Sequence, residues 1–223
     1  MIVPAMRRNG LILAAFALVA TGLLMFTQYL TADRIAAQQR NELMRTLSEL
    51  IPSESYNNDL YGDCTEVTEP KVLGSKLAQP VYRARMNGQP VAVAVRTTAP
   101  DGYSGDIHLL VAIALNGSVL GVRVLEHRET PGLGDKIDVR RSNWILSFTN
   151  ERVRGADDSR WQVRRDGGAF DQFSGATITP RAVINAIQRT VVWATEHQQS
   201  LFSAPRQCAG SAMVDEQEEQ ANE

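Results

Sequence analysis

Residues 107–125 read IHLLVAIALNGSVLGVRVL, in which two runs of β-prone side chains stand on either side of Asn116-Gly117. Asn-Gly strongly favours a two-residue hairpin turn, because both residues tolerate the positive φ angles that such a turn requires. The runs 107–115 and 119–125 are each long enough for a β-strand. This stretch therefore predicts a hairpin of two antiparallel strands.

A similar arrangement occurs upstream, where residues 81–86 and 91–98 flank Asn87-Gly88. Gln89 and Pro90 stand between this dipeptide and the second run. We therefore expect a longer turn here and regard the hairpin at Asn116-Gly117 as the cleaner of the two. Two hairpins in succession indicate an antiparallel sheet.

Helical patterns lie before and after these hairpins. Residues 31–50 form a partly amphipathic helix that ends before Pro52, and Val183, Ile187, Val191 and Ala194 recur at helical spacing near the C-terminus. The sequence shows no alternation of strands and helices and no G-x-G-x-x-G fingerprint of a dinucleotide fold. We predict the α+β class, with one antiparallel sheet and helices packed against it.

The N-terminal region carries a long apolar run. Residues 11–26 are apolar except for Thr21 and Gly22, and the range 10–30 supplies about the twenty residues that a membrane-spanning helix needs. Arg7 and Arg8 precede the run, as in a signal peptide, but the run exceeds the usual hydrophobic region and no A-x-A-like cleavage site follows. We predict one uncleaved N-terminal transmembrane helix, which makes the chain a single-pass membrane protein.

Composition limits the rest of the chain. With 223 residues and 43% hydrophobic content, it accommodates one globular domain beside the anchor. The net charge of −2, from 23 basic and 25 acidic residues, gives no reason to expect nucleic acid as a partner. The acidic run 215–219 is typical of a solvated tail.

Cysteine and histidine positions bear on redox state and metal binding. Cys64 and Cys208 bracket most of the globular region, and either a disulfide or two unpaired thiols is compatible with the sequence. The histidines, at positions 108, 127 and 197, are scattered without ligand-like spacing, and the chain has no C-x-x-C motif. We expect no metal site.

Residues 171–180, DQFSGATITP, precede the C-terminal helix. Thr179 suits the N-cap position and Pro180 the first helical position, so the free N–H groups that follow attract an anion such as phosphate. We expect the Thr179 hydroxyl to be accessible. A threonine is a weak nucleophile without a neighbouring base, and the segment supplies none. These residues alone favour a simple capped helix behind a polar loop.

The pattern Asp-x-x-Ser-Gly-Ala-Thr-x-Thr at residues 171–179 resembles the motif in which a flavin transferase esterifies the last threonine with FMN. Residues 102–105 (GYSG), 127–136 (HRETPGLGDK) and 166–171 (DGGAFD) extend the likeness. Together they resemble the G component of the Rnf (also called Rsx) ion-translocating electron transport complex. The C component of the sodium-translocating NADH:quinone reductase shares the acceptor motif.

The resemblance implies specific site residues. Thr179 is the expected covalent attachment point of FMN, and the rest of the motif comprises Asp171, Ser174, Gly175, Ala176 and Thr177. The Pro-Gly-rich segment after the second hairpin is compatible with an ordinary turn, but the resemblance favours flavin contacts there. The expected contacts are Glu129, Thr130, Gly132, Leu133 and Gly134. Trp193 is a less favoured candidate for stacking on the flavin. No residue is assigned to catalysis on a small substrate.

The resemblance also implies location and partners. We expect a bacterial inner-membrane protein with its globular domain in the periplasm, in contact with membrane lipid, other subunits of an electron-transport complex and the flavin transferase. Arg34, Arg40 and Arg45 follow the anchor and weaken the charge asymmetry that would set orientation. The expected divisions are a cytoplasmic N-terminus (1–9), the anchor (10–30), a helical connector (31–60), an FMN-binding domain (61–207) and an acidic tail (208–223).

The resemblance therefore predicts an electron-carrying flavoprotein subunit of an ion-translocating complex, with the quinone-reductase component as the alternative within the redox class. A non-redox alternative is an anchored binding or scaffold domain whose threonine is never modified.

Overall fold

A computed structural model describes residues 2–208 of the chain, with side chains from Met6 onwards. These residues fall into two compact units, the first ending at Arg45 and the second beginning at Thr46. Of the acidic tail predicted at residues 208–223, Cys208 belongs to the described residues, and residues 209–223 lie outside them.

The first unit consists of one helix, α1 (Ile2–Leu50), whose last turn belongs to the second unit. Within residues 2–208, α1 is the one helix that is long and apolar enough to cross a membrane, judged by length and composition. Its large apolar side chains are exposed from Leu11 to Leu30, and Leu11, Phe16 and Leu24 are each more than 70% exposed. Large apolar side chains exposed along a whole helix are expected to contact lipid rather than water.

The second unit is built on a five-stranded antiparallel sheet in the order β1-β2-β3-β4-β5, in which each strand pairs with the next one along the chain. The strands are β1 (Cys64–Val67), β2 (Gln79–Met86), β3 (Gln89–Ala99), β4 (Ile107–Ala114) and β5 (Val119–Glu126). This topology confirms the α+β fold with an antiparallel sheet. The short strand β1 was not predicted.

The turn between β2 and β3 is tighter than the sequence predicts. Strand β2 ends at Met86 and β3 begins at Gln89, so Asn87 and Gly88 form the whole connection. Both have positive φ, 51° and 79°, as a type I′ turn requires. The prediction that Gln89 and Pro90 lengthen this turn was wrong. Pro90 is tolerated near the start of β3, beside a register shift in β2.

The hairpin at Asn116-Gly117 is the looser one, contrary to the prediction. Four residues, 115–118, connect β4 and β5, and only Gly117 has positive φ, at 77°. The Asn116 side chain accepts hydrogen bonds from the backbone N–H and the hydroxyl of Ser118, at 3.0 and 2.7 Å. This local Asx-type turn replaces the two-residue turn that Asn-Gly would otherwise favour.

Helix α3 (Ile178–Glu196) packs on the sheet. Val183, Ile187 and Val191 are at most 1% exposed, as their spacing predicts. The hydroxyl of Thr190 donates to that of Thr97 on β3 at 2.9 Å. The other helices are α2 (Pro70–Leu73), α4 (Gln198–Ser203) and four short 3-10 helices at Ser53–Ser55, Gly134–Ile137, Asn143–Phe148 and Arg164–Asp166.

A buried ion-pair cluster and a disulfide fasten the C-terminal segment to the sheet. Cys64 is bonded to Cys208, with Cα atoms 5.9 Å apart. Beside it, Asp63 accepts hydrogen bonds from Arg83 Nε at 2.7 Å and Arg85 Nε at 2.8 Å. Arg83 also donates to the carbonyl of Ala204 at 2.6 Å, so its guanidinium joins β2 to the residues after α4.

The connection from β5 to α3 carries a compact loop held by Asp158. Its carboxylate accepts hydrogen bonds from the Arg160 guanidinium, at 3.0 and 2.7 Å, and from the backbone N–H of Arg154 at 3.0 Å. These bonds hold the pKa of the Asp158 carboxyl at about 2, below its usual value of 3.8. Farther along this connection, Trp161 is buried and stacks on Phe148 at a ring distance of 5.8 Å.

Candidate functional site

A cavity of about 310 Å³ lies between the segment after β5 and the start of α3. The residues around it come from three parts of the chain that the sheet topology brings to one place. Its lining comprises Tyr103, Glu129, Thr130, Leu133, Gly134, Gly175, Ala176, Thr177, Ile178 and Thr179.

The segment after β5 forms one wall through a tight turn. The carbonyl of Thr130 accepts hydrogen bonds from the N–H groups of Leu133 and Gly134, both at 3.1 Å. Gly132 has a φ of 78°, which glycine adopts without strain. The turn leads directly into the 3-10 helix Gly134–Ile137, and so places Leu133 at the rim of the cavity.

The opposite wall is the turn before α3. The N–H of Ala176 donates to the carbonyl of Phe173 at 3.2 Å, and Gly175 has a φ of 80°. A positive φ at the third residue of a four-residue turn is the mark of type II. The small side chains in this turn leave the cavity open on that side.

Helix α3 begins earlier than the sequence predicts. Its first residue is Ile178, with Thr177 preceding it, so Thr179 lies inside the first turn and Pro180 is the third helical residue. Thr179 is 0% exposed, and the expected accessible N-cap hydroxyl was therefore wrong in both respects. Proline remains compatible with the first turn, where backbone N–H groups have no intrahelical partner.

The hydroxyl of Thr179 is oriented by a carboxylate from the other wall. Thr179 Oγ1 donates a hydrogen bond to Oε2 of Glu129, and both residues line the cavity. The second carboxylate oxygen, Oε1, accepts from the backbone N–H of Ser104 at 3.0 Å. Glu129 is 4% exposed. The carboxylate that contacts the Thr179 hydroxyl therefore comes from a residue fifty positions away in the chain.

Two glycines allow this pair to form. A Cβ on Gly134 would lie 2.7 Å from Glu129 Oε2 and 3.0 Å from Thr179 Oγ1, and a Cβ on Gly102 would lie 3.0 Å from Glu129 Oε1. Contacts below about 3 Å force neighbouring atoms to move in a packed interior. Gly102 and Gly134 therefore have a steric role around Glu129, whereas a Cβ on Gly105 or Gly132 would meet nothing within 4 Å.

Exposed apolar side chains surround the mouth of the cavity. Tyr103 is 68% exposed, Ile178 49% and Leu133 42%. Side chains of this size, exposed together beside a cavity, suit contact with a planar apolar ligand. Neither Tyr103 nor Ile178 was predicted as a site residue, although Tyr103 belongs to the 102–105 motif that carries the family resemblance.

The structure brings together eight of the eleven residues predicted for the site, and three do not line the cavity. Asp171 is exposed and its carboxylate pairs with Arg164 at 2.9 Å, while its carbonyl accepts from the Trp144 indole N–H at 2.7 Å. Ser174 is exposed in the turn, and Gly132 is exposed in the opposite turn.

Trp193 lies near the other end of α3 from Thr179. It is 7% exposed and stacks on His197 at a ring distance of 5.2 Å. Fourteen residues of helix separate it from Thr179, which corresponds to about 20 Å. Trp193 is thus a core residue away from the cavity. A wider groove of about 590 Å³, lined in part by Arg85, Thr195 and Phe202, contains none of the predicted site residues.

Within residues 2–208, no group of three or more His, Cys, Asp or Glu side chains is placed to hold a metal ion. The cavity lining combines one carboxylate, that of Glu129, with an apolar rim and four hydroxyl-bearing side chains, those of Tyr103, Thr130, Thr177 and Thr179.

Comparison with known proteins gives consistent matches. The family model of the RnfG N-terminal region matches residues 1–50, and that of the FMN-binding domain matches residues 102–192. The chain is 52% identical over 206 residues to the G component of the ion-translocating oxidoreductase complex of Vibrio cholerae serotype O1 (strain M66-2), covering 92% of this chain and 98% of that protein.

The corresponding protein of Shewanella oneidensis is 50% identical over 203 residues, covering 91% of this chain and 96% of the relative. That of Shewanella amazonensis is 47% identical over 209 residues, covering 94% and 97%. The likeness therefore includes the N-terminal helix, the sheet and the cavity.

Proposed function

The chain belongs to the family of RnfG components of ion-translocating oxidoreductase complexes, and we propose that it carries electrons through an FMN esterified to Thr179. The FMN-binding domain covers the segment that forms the cavity, and the N-terminal helix provides the membrane anchor of a single-pass protein. The observation that carries the attachment site is the Thr179 hydroxyl, which lines the cavity and is held by Glu129.

The chemistry of FMN fits the residues present. Its phosphate is an anion, and the first turn of α3 offers backbone N–H groups and the positive end of the helix dipole beside Thr179. Its ring is planar and largely apolar, and Tyr103, Leu133 and Ile178 provide exposed apolar surface at the cavity mouth. The turn at 129–134 lines the cavity with Glu129, Thr130, Leu133 and Gly134, so the ring would lie against it.

The motif residues divide into two roles under this proposal. Ala176, Thr177 and Gly175 line the cavity, so they contact the attached cofactor. Asp171 and Ser174 face solvent and are available to the flavin transferase that modifies the protein. The turn that faces the ring comprises Glu129, Thr130, Gly132, Leu133 and Gly134.

FMN held at Thr179 would supply the electron-transfer chemistry, which the side chains of this protein do not provide. The protein holds the cofactor in a fixed place, limits the access of water and presents the exposed edge of the cavity to neighbouring subunits. The partners are the other subunits of the complex, the flavin transferase and membrane lipid around α1.

The proposed location of the globular domain is the periplasm. Arg7 and Arg8 favour a cytoplasmic N-terminus, because positive charges accumulate on that side of the inner membrane. The Cys64–Cys208 disulfide supports the same orientation, since disulfides persist in oxidising compartments. Protease added to intact spheroplasts is expected to digest the globular domain, and protection of the domain would contradict this orientation.

The relatives described above are all named as components of ion-translocating oxidoreductase complexes, which favours this assignment over a sodium-translocating quinone reductase. The scaffold alternative requires that Thr179 stays unmodified, which the following experiment decides.

The test is the mass of the full chain produced with and without a flavin transferase. We expect an added mass of one FMN moiety, a fluorescent band on a denaturing gel, and the added mass on the tryptic peptide 166–181, which contains Thr179. An unmodified peptide from cells with active transferase would contradict the proposed function.

A further inference from the structure

We propose that Glu129 is the catalytic base that accepts the proton of Thr179 when the flavin ester forms. This inference rests on the proposed function, and adds to it that the protein contributes a group to its own modification. The transferase then supplies the flavin donor and its positioning, whereas the base belongs to the substrate protein.

The first support is contact with the reacting atom. Thr179 Oγ1, the expected nucleophile, donates its hydroxyl hydrogen directly to Glu129 Oε2. A general base must lie within hydrogen-bond reach of the proton that it removes. An unactivated threonine hydroxyl reacts slowly, so a base in this position has a defined chemical use.

The second support is the way Glu129 differs from the other buried acidic residues of the second unit. Asp63 pairs with Arg83, Asp138 with Arg140, and Asp135 with Arg141. These pairs are 2.7, 2.5 and 3.6 Å apart. Within the described part of the chain, Glu129 has no basic partner and is bonded to a hydroxyl and one backbone N–H.

A buried carboxylate without a cation costs stability, and such groups are found preferentially at functional sites. If Glu129 served only to fix the fold, an arginine partner of the kind that the other three have would stabilise it better.

The third support is that the carboxylate is held in place. The N–H of Ser104 binds Oε1, and the missing side chains of Gly102 and Gly134 leave room for the two oxygens. Oε2 is therefore directed at Thr179 by the fold of this chain alone. Preorganisation of this kind is what a catalytic group requires.

The reaction balances without an oxidant or a reductant. Thr179 Oγ attacks the phosphorus of a flavin nucleotide whose phosphate is linked by an anhydride to a nucleotide leaving group. The Thr179 O–P bond forms, the anhydride P–O bond breaks, and its electron pair leaves on the departing nucleotide phosphate. The Thr179 proton goes to Glu129 Oε2 and from there to solvent.

The test is single-turnover labelling of the detergent-solubilised full chain by excess purified transferase and flavin nucleotide donor, followed by intact mass. The key variant is Glu129→Gln, which retains the shape of the side chain and one accepting oxygen but cannot take the proton. We expect its labelling rate to fall at least about 100-fold, the lower bound typical of general-base catalysis. The transferase concentration at half-maximal rate should stay unchanged, because recognition is intact.

The matched control is Glu126→Gln, which makes the same change at an exposed position three residues away. We expect it to label at the wild-type rate. Glu129→Asp keeps the charge but withdraws it from Thr179, and we expect labelling at least about tenfold slower than wild type. Should Glu129→Gln fail to fold, judged by circular dichroism and thermal unfolding, Glu129→Asp takes its place.

The outcomes are distinguishable. A wild-type chain that takes no label contradicts the proposed function itself. A wild-type chain that labels, beside a folded Glu129→Gln variant within about threefold of its rate, overturns the role of Glu129 and leaves the function intact. A variant that changes only the half-maximal transferase concentration likewise overturns the inference, because it assigns Glu129 to recognition. A Glu129→Asp variant that labels at the wild-type rate also overturns the inference.

Discussion

Thr179 and Glu129 lie 50 positions apart in the chain, and the threonine hydroxyl donates a hydrogen bond to the glutamate carboxylate inside the protein. One residue belongs to the first turn of α3 and the other to the segment after β5. Their contact joins two of the sequence motifs that carry the family resemblance, 127–136 and 171–179, into one site.

Replacement of the acceptor should abolish modification. We expect Thr179→Ala to carry no FMN by intact mass and in-gel fluorescence. We also expect it to lose about 1–3 kcal/mol of stability in denaturant titration, because the buried Glu129 carboxylate loses one of its donors. Thr177→Ala removes a neighbouring hydroxyl of the same motif and is expected to retain the label. A labelled Thr179→Ala protein would mean that another hydroxyl is the acceptor.

Gly134→Ala should disturb the site sterically. The added Cβ would lie 2.7 Å from Glu129 Oε2, so the carboxylate must move away from Thr179. We expect a loss of about 1–3 kcal/mol in the free energy of unfolding and flavin attachment slowed by about tenfold or more, measured by denaturant titration and mass spectrometry.

Gly132→Ala is the matched control for that variant. Nothing lies within 4 Å of its added Cβ, although its φ of 78° strains an alanine. It should lose about 1–2 kcal/mol of stability and keep attachment within a few-fold of wild type. Equal effects of both variants on attachment would show that backbone strain, and not displacement of Glu129, controls the reaction.

Loss of the disulfide should destabilise the globular unit. The bond joins residues 144 positions apart, and the chain-entropy model assigns such a crosslink about 5 kcal/mol. We expect Cys64→Ser and Cys208→Ser to unfold at clearly lower denaturant concentrations, with the reduced wild type resembling both. If reductant left the wild-type transition unchanged, the two thiols would not be bonded in solution.

Asp63→Asn should be among the most damaging single substitutions. Arg83 is 1% exposed, and without the Asp63 carboxylate its charge stays buried without a full partner. Breaking a buried pair from one side costs about 3–5 kcal/mol. Denaturant titration should show this loss, while Asp106→Asn, at an exposed position, should remain within about 0.5 kcal/mol of wild type.

Asp158 should contribute to the free energy of unfolding at neutral pH and lose this contribution in acid. Its carboxyl has a pKa of about 2 in the folded protein and an ordinary value near 3.8 when unfolded, chiefly because Arg160 donates to it. A depressed carboxyl pKa stabilises the fold above the unfolded value and loses that contribution as pH falls through the folded value.

We therefore expect the difference in unfolding free energy between wild type and Asp158→Asn to be constant above about pH 5 and to shrink between about pH 4 and pH 2. Denaturant titrations across this range provide the measurement. A difference that stays constant down to about pH 2 would contradict the role of the Arg160 pairing.

The sequence predicted the parts of the fold that depend on local pattern. The period of Val183, Ile187 and Val191 identifies the buried face of α3, and the Asn-Gly pairs identify both hairpins. It ranked the two hairpins wrongly, because the turn type depends on contacts outside the dipeptide. The Asn116 side chain binds Ser118 and draws its turn into another conformation.

The site was predicted only in part, for a related reason. The resemblance identified Thr179 and the turn around Gly132 as parts of one site. It could not show that Glu129 binds Thr179, because a side-chain contact across 50 residues leaves no periodic signal in one sequence. Helix α3 begins at Ile178 and not after Thr179, as the sequence predicted. The same long-range contact explains this difference, because the Thr179 side chain binds Glu129 and does not cap its own helix.

The order of the strands in the sheet also bears on when the protein matures. Because every strand pairs with its predecessor, the sheet can assemble progressively while the chain is still being synthesised. Helix α3 follows the five strands in the chain, and its packing on the sheet brings Thr179 to Glu129. A chain that stops before α3 has no contact between Thr179 and Glu129, so under the proposed function we expect flavin attachment only after α3 has packed on the sheet.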